Sequence, residues 1–217
     1  MPNDIFASIK DFNTITIFRH VFADMDAIGS QFGLKYYLES TYPDKKIYCL
    51  GSNCPVSQRN NVEMDEVDDE IIRSSLAIVL DTSNAARIDD ERYKFAEKSI
   101  RIDHHVQVET ICDEEWIDDK ASATCELLAL YLQKNKVNIP VESALMLYLG
   151  LTADNIRFTT NNVRPATFDA AKYLFEQGVD VTKVEQLNFS KSIEDYRYET
   201  VVRNHTILKN KFLYSIL

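Results

Sequence analysis

The sequence predicts an α/β fold, a mostly parallel sheet with helices on both faces, and three observations carry that prediction. Short apolar runs at 15–18, 46–50, 76–80 and 99–102 alternate with helix-patterned stretches, as successive βαβ units do. The run 76–80, Leu-Ala-Ile-Val-Leu, is apolar without alternation, as expected of a strand covered on both faces. The first, third and fourth runs lead straight into charge, at His20, Asp81 and Asp103-His104-His105. In open α/β sheets ligands bind at the carboxyl ends of strands, so function is expected at that edge.

Taken in order, strand 14–18 is β-branched and aromatic and leads into His20-Val21-Phe22-Ala23-Asp24-Met25-Asp26. That strand-to-helix loop crowds one imidazole and two carboxylates, enough to reach one or two hard divalent cations. Asp24 and Asp26, two apart in extended chain, point to opposite sides and so could serve two different ions. Aspartate is also a common N-cap, so Asp-x-Asp alone would signify only a helix start. Helix 27–40 carries Gly29 and Gly33, four apart on one face, at about 1 kcal/mol each relative to alanine. The expected compensation is close approach of this helix to the sheet.

The acidic run Asp65, Glu66, Asp68, Asp69 and Glu70 reads as a solvated face or loop. Asp81 ends a buried strand, where a carboxylate either caps or ligates. With His104 and His105, three of the four histidines in the chain fall at one sheet edge, and convergence of acidic and imidazole groups there points to metal. Residues 121–126 open a helix with Cys125, Leu128, Ala129 and Leu132 on one face; Ser122 and Thr124 either cap it or offer N–H and O–H groups to an anion. Pro140 can start a helix that is apolar nearly all round, hence buried. Its end, Thr152-Ala153-Asp154-Asn155-Ile156-Arg157-Phe158, delivers Asp154 with Arg157 close behind. Gly178 is a C′ residue closing helix 165–177; a long helix at 193–208 and an apolar strand-like tail at 211–217 follow.

Composition narrows the class further. With 217 residues, 45% of them hydrophobic, the chain can fill a sizeable core. It contains no apolar run near 18 residues and no secretory leader pattern, so a cytoplasmic location and no membrane partner are expected. Cys49, Cys54, Cys112 and Cys125 lack zinc-site spacing and are expected to be reduced and buried. A net charge of −10 disfavours long nucleic acid as a partner.

His20-x3-Asp24-x-Asp26, Asp81 at a strand end, Asp103-His104-His105, and Asp154 with Arg157-Phe158 resemble the four ordered motifs of the DHH phosphoesterase superfamily. The resemblance spans about residues 14–190 and extends to Asp26-Ala27-Ile28-Gly29-Ser30 and Ala121-Ser122-Ala123-Thr124. It is nearest the DHH/DHHA1 branch of bacterial oligoribonucleases, or nanoRNases, many of which also dephosphorylate 3′-phosphoadenosine 5′-phosphate (pAp), and of cyclic-dinucleotide phosphodiesterases.

The resemblance implies two divalent ions, Mn²⁺ first with Mg²⁺ or Co²⁺ as alternatives. His20 and Asp24 would hold one, Asp26, His104 and Asp154 the other, and Asp81 would bridge them. Four carboxylates supply about −4 against +4 from two such ions, a site that still attracts phosphate. Asp103 would orient an imidazole, and His105 and Arg157 would contact phosphate oxygens.

Residues 1–190 are thus expected to form a DHH catalytic domain, and 191–217 a linker helix and the first strand of a DHHA1 domain. The Gly-rich GGGH-like motif of that second domain is absent from these 217 residues. The expected activity is two-metal hydrolysis of short oligonucleotides or small nucleotides: nanoRNA, pAp, or cyclic or linear dinucleotides. The alternatives are an inorganic pyrophosphatase or exopolyphosphatase, and a catalytically weak binding or regulatory domain. The apolar tail favours a homodimer through edge pairing.

Overall fold

Five strands form one sheet in the order β2-β1-β3-β4-β5, and every neighbouring pair is parallel: β1 (Thr14–Phe18), β2 (Lys46–Cys49), β3 (Leu76–Leu80), β4 (Lys98–Asp103) and β5 (Glu114–Ile117). The structure, a computed structural model, describes residues 5–215. Chain order reverses between β1 and β3, which makes the crevice beyond their carboxyl ends the topological switch point.

The unalternating apolar strand β3 has the explanation its pattern demanded. Leu76, Ile78 and Leu80 enter the larger core cluster, whereas Ala77 and Val79 enter a smaller one with Phe18, Leu50, Ile72 and Tyr93. Period-two side-chain direction thus feeds both faces from one strand. The long helices α1 (Met25–Thr41), α4 (Thr124–Lys134) and α5 (Val141–Asp154) contribute to the larger cluster, joined by α6 (Pro165–Glu176) and α7 (Val181–Phe189). Short elements complete the molecule, including α2 (Pro55–Arg59) and α3 (Asp69–Arg73), whose Ile72 belongs to the smaller cluster.

The two glycines of α1 serve a different contact from the one expected. A Cβ on Gly29 would lie 2.5 Å from the carbonyl oxygen of Met146, and one on Gly33 would lie 2.6 Å from Cγ of Leu147. On α5, a Cβ on Gly150 would collide with Sγ of Cys125 and lie 3.0 Å from Cα of Asp26. The close approach is therefore helix to helix, α1 against α5, rather than helix to sheet. It presses the end of α5 against the start of α1, the two helix termini that carry Asp154 and Asp26.

β5 and α7 are elements that sequence pattern did not reveal. β5 is a four-residue edge strand, Glu-Glu-Trp-Ile, in which only Trp116 is buried, so it carries little hydrophobic signal. The expected helix 193–208 ends earlier: α8 (Ile193–Asn204) is followed by β6 (Thr206–Lys209) and β7 (Phe212–Ser215), an antiparallel hairpin. Asn210 and Lys211 at its turn are both left-handed, φ 51° and 69°, as a two-residue hairpin of matching twist requires. The tail strand thus finds its partner in β6; Ile216 and Leu217 of the expected strand lie outside the described residues. Among the described residues, all four cysteines are free, three of them buried and Cys54 half-buried. No helix of the described residues is long and apolar enough to cross a membrane.

Candidate metal centre

The parallel sheet brings His20, Asp24, Asp26, Asp81, His104 and Asp154 to one place at its carboxyl edge. His20 follows β1, Asp81 follows β3 and His104 follows β4; α1 opens with Asp24 and Asp26, and α5 closes with Asp154. Three overlapping groups have ligand atoms within 4.8 Å of one another: His20, Asp24 and Asp81; Asp26, His104 and Asp154; and Asp81, His104 and His105.

Asp81 occupies the middle. Its Oδ2 lies 3.4 Å from Nε2 of His20, and its Oδ1 lies 3.4 Å from Nε2 of His104. Around His104 Nε2, Oδ2 of Asp154 is at 3.3 Å and Oδ2 of Asp26 at 3.8 Å. That buried nitrogen has no hydrogen-bond partner. An orphaned acceptor surrounded by carboxylates is what a cation site looks like without its cation, because a shared ion separates its ligand atoms by about 3–4 Å. The other ring nitrogens are engaged: Nδ1 of His20 lies 2.7 Å from the Val21 carbonyl and Nδ1 of His104 lies 3.3 Å from the Ala121 carbonyl. A carbonyl can only accept, so the proton resides on Nδ1 in the neutral ring and Nε2 presents a lone pair.

Asp24 satisfies both of its readings at once. Its Oδ1 caps α1, accepting from the backbone N–H groups of Asp26 and Ala27 at 3.0 Å, while Oδ2 faces His20 Nε2 at 3.7 Å. Fully buried Asp26 accepts from the N–H groups of Thr124 at 2.6 Å and Cys125 at 2.9 Å, so the first turn of α4 serves it as a helix N-terminus serves an anion. Hydrogen bonding at the start of α4 thus goes to internal carboxylates: Thr124 donates its hydroxyl to Asp81 at 3.0 Å, and Ser122 donates to Glu126.

Electrostatics record how many charges share this edge. Burial lowers the pKa of His20, but the facing carboxylates of Asp24 and Asp81 outweigh it and raise the value to about 10. Burial likewise opposes protonation of His104, and Asp81 and Asp26 lift it to about 10. Asp154 is raised to about 7 by burial and the neighbouring Asp81 charge, and Asp26 is raised by burial and the same carboxylate. Asp81 moves the other way: the His104 and His20 rings facing its two oxygens overcome burial and hold it well below the usual carboxylate range.

The remaining predicted residues divide. Asp103 is fully buried; its Oδ1 lies 2.7 Å from His105 Nδ1 and its Oδ2 accepts from Arg101 at 2.7 Å. Burial would raise its pKa, but His105 and Arg101 pull it below the ordinary carboxylate value. His105 is thereby oriented at the open side of the cluster, its ring centroid 4.4 Å from that of His104. Arg157 is not in contact with the cluster. Its guanidinium pairs with Glu185 at 3.0 Å and covers the Phe189 ring at 4.0 Å, on a left-handed stretch formed by Ile156, Arg157 and Phe158.

Two supporting groups escaped sequence reasoning. Arg101 is completely buried beside Asp103, and its spacing of two along β4 was the available signal. Glu126, also fully buried, accepts from Ser122, Thr167 and Arg164. It thereby pins the 121–124 turn whose carbonyl orients His104; a glutamate in a helix first turn gives no sequence hint of that.

Comparison with known proteins finds relatives of this chain. The family described as "DHH family, N-terminal domain" matches residues 14–151. The uncharacterized protein MG371 of Mycoplasma genitalium is 33% identical, over 96% of this chain and 66% of its own length. The bifunctional oligoribonuclease and PAP phosphatase NrnA of Bacillus subtilis is 36% identical, over 81% of this chain and 57% of its own. The chain therefore spans somewhat less than two thirds of these curated relatives. A solved exopolyphosphatase-related protein from Bacteroides fragilis superposes with a TM-score of 0.82 at 24% identity, covering 92% of this chain and 63% of that one, which is a likeness of fold.

Proposed function

The chain belongs to the DHH family, and from that premise we propose that it is a metal-dependent phosphoesterase hydrolysing short oligonucleotides or small phosphorylated nucleotides. The supporting observation is the placement of Asp81, with one oxygen toward His20 and the other toward His104. His20, Asp24 and Asp81 would hold one divalent ion and Asp26, Asp81, His104 and Asp154 a second, with Mn²⁺ the preferred metal. When bound, the ions supply Lewis acidity and neutralise charge on a phosphoryl group.

The rest belongs to the chain's own side chains. His105, held by Asp103 through Nδ1, would offer its Nε2 to a phosphate oxygen. Arg157 becomes a phosphate contact once it leaves Glu185, both partners being half-exposed. An acidic chain gains phosphate affinity from the ions and these few groups rather than from a basic track, so short substrates are favoured over long ones. NrnA of Bacillus subtilis carries oligoribonuclease and PAP phosphatase in its name, which supports the same substrate class. Residues 1–190 are read as the catalytic unit and 191–217 as the lead into a substrate-gripping domain.

The test is a panel of dinucleotides, pAp, cyclic dinucleotides and pyrophosphate, assayed with Mn²⁺. Turnover of a dinucleotide or pAp well above pyrophosphate is expected. Faster cleavage of pyrophosphate than of any nucleotide would transfer the chain to the pyrophosphatase reading, and inactivity on all of them would favour a binding domain.

A further inference from the structure

Beside the candidate metal centre lies a cleft of about 650 Å³ that the proposed chemistry does not use. It is walled by the loop after β1 (Val21, Phe22, Ala23) and the loop after β2 (Cys54, Pro55, Val56). Its volume falls within the range of small-molecule sites, about 300–1,000 Å³. At its rim Phe22 is 96% exposed with φ 54°. A left-handed phenylalanine and an unburied ring both cost free energy, and such outliers persist where the surroundings enforce them for use. Enforcement is visible on both sides. Val21 donates its N–H to the Arg87 carbonyl, His20 bridges to Ile88, and the Cys54 thiol lies 3.9 Å from the Ala23 carbonyl.

The opposite wall is equally fixed. The buried Arg19 guanidinium donates to Asp89 at 2.7 Å and to the carbonyls of His20 and Ser52, and Asp89 accepts from the Ser52 N–H. A Cβ on Gly51, which sits at φ 129°, would lie 2.9 Å from Oδ2 of Asp89 and 3.2 Å from Cζ of Arg19. Phe22 is two residues from Asp24, so their Cα atoms are at most about 7.6 Å apart. A base carried by a phosphate at the candidate centre is therefore within a nucleoside's length of Phe22.

We propose that Phe22 and the cleft form a nucleobase subsite: the base attached to the phosphate under attack stacks on the Phe22 ring and its edge enters the cleft. This rests on the nucleotide reading above. A single aromatic platform grips any base, since every base has a π-face, so the subsite selects nucleotides over base-free phosphates without selecting among bases. Stacking of this kind changes affinity by about 5- to 150-fold on removal of the ring.

The experiment compares a dinucleotide with its abasic analogue, the same sugar-phosphate backbone without bases, on wild type, Phe22→Ala and Phe22→Trp. Phe22→Ala should lower the ratio of kcat/KM for the dinucleotide to kcat/KM for the analogue by about 5- to 150-fold, chiefly through KM, and Phe22→Trp should restore it. An unchanged ratio overturns the subsite. If wild type hydrolyses neither compound, the phosphoesterase reading fails, and the subsite is decided by binding of 2-aminopurine riboside monophosphate. Fluorescence quenching in wild type that is lost in Phe22→Ala upholds it, and absence of quenching in wild type overturns it.

Discussion

The hydroxyl of Thr124 donates to Oδ1 of Asp81 at 3.0 Å, tying the carboxylate that stands between His20 and His104 to the first turn of α4. If Asp81 serves both ions, Asp81→Asn should lower bound metal and turnover together. His105→Ala should reduce turnover with metal largely kept, because His105 belongs to the open side of the cluster. Elemental analysis beside kinetics checks this, and equal metal content in wild type and Asp81→Asn would remove the bridging role.

Metal loading should expel protons. With pKa values of about 10, His20 and His104 are protonated in the cation-free protein at neutral pH and must lose those protons to ligate. Calorimetry of Mn²⁺ binding in buffers of different ionisation enthalpy should reveal release of about two protons from the histidines and a further contribution from Asp154 and Asp26, whose pKa values are also raised, with affinity rising as pH rises. Buffer-independent heats would refute the histidine ligands.

The same groups set a stability profile with a definite sign. His20, His104 and Asp154 all have folded pKa values above their ordinary ones. Their favourable contributions are therefore full at low pH and fade as pH rises. For the histidines, loss begins near 6.5 and is complete above about 10. For Asp154 it runs from about 4 to about 7. Asp81 and Asp103, shifted downward, contribute above the ordinary carboxylate pKa and lose their contribution on acidification. Urea unfolding in a chelator should show stability declining from pH 7 to pH 10, and saturating Mn²⁺ should abolish that decline.

Packing of α1 on α5 should be unforgiving at Gly29. Its Cβ would face the Met146 carbonyl oxygen at 2.5 Å and the Gly150 nitrogen at 3.1 Å, backbone atoms that cannot turn aside. Gly29→Ala should cost about 1–3 kcal/mol by urea unfolding and weaken metal binding as well, because it pushes the start of α1 from the end of α5. Loss of stability without any change in metal affinity would separate the crossing from the site.

Most of this edge was legible because strands and their ends announce themselves. β1 and β3 are short β-branched or apolar runs and β4 alternates Ile100 and Ile102 with polar residues, and an aspartate or histidine at the end of such a strand has few places to go. The partner of the two α1 glycines was less legible, since a glycine pair signals close approach without saying to what. Arg157 illustrates a different limit: sequence order places it beside Asp154, whereas its side chain follows the nearest opposite charge and ring, Glu185 and Phe189. The hairpin of β6 and β7 was hidden by helix-compatible residues at 205–208, whose pairing depends on the Asn210-Lys211 turn.

Left-handed backbone outside glycine occurs at nine of the described residues, and five of them, Phe22, Asp81, Ile156, Arg157 and Phe158, lie on the loops around the candidate centre. Glycine would relax each of these five backbones, yet Phe22, Asp81 and Arg157 are also candidate working parts. Selection for heat resistance and selection for turnover would therefore pull the same codons in opposite directions. Variants recovered from a thermostability screen should carry changes at these positions at the expense of function, and mutational tolerance should be lowest where the backbone is least comfortable.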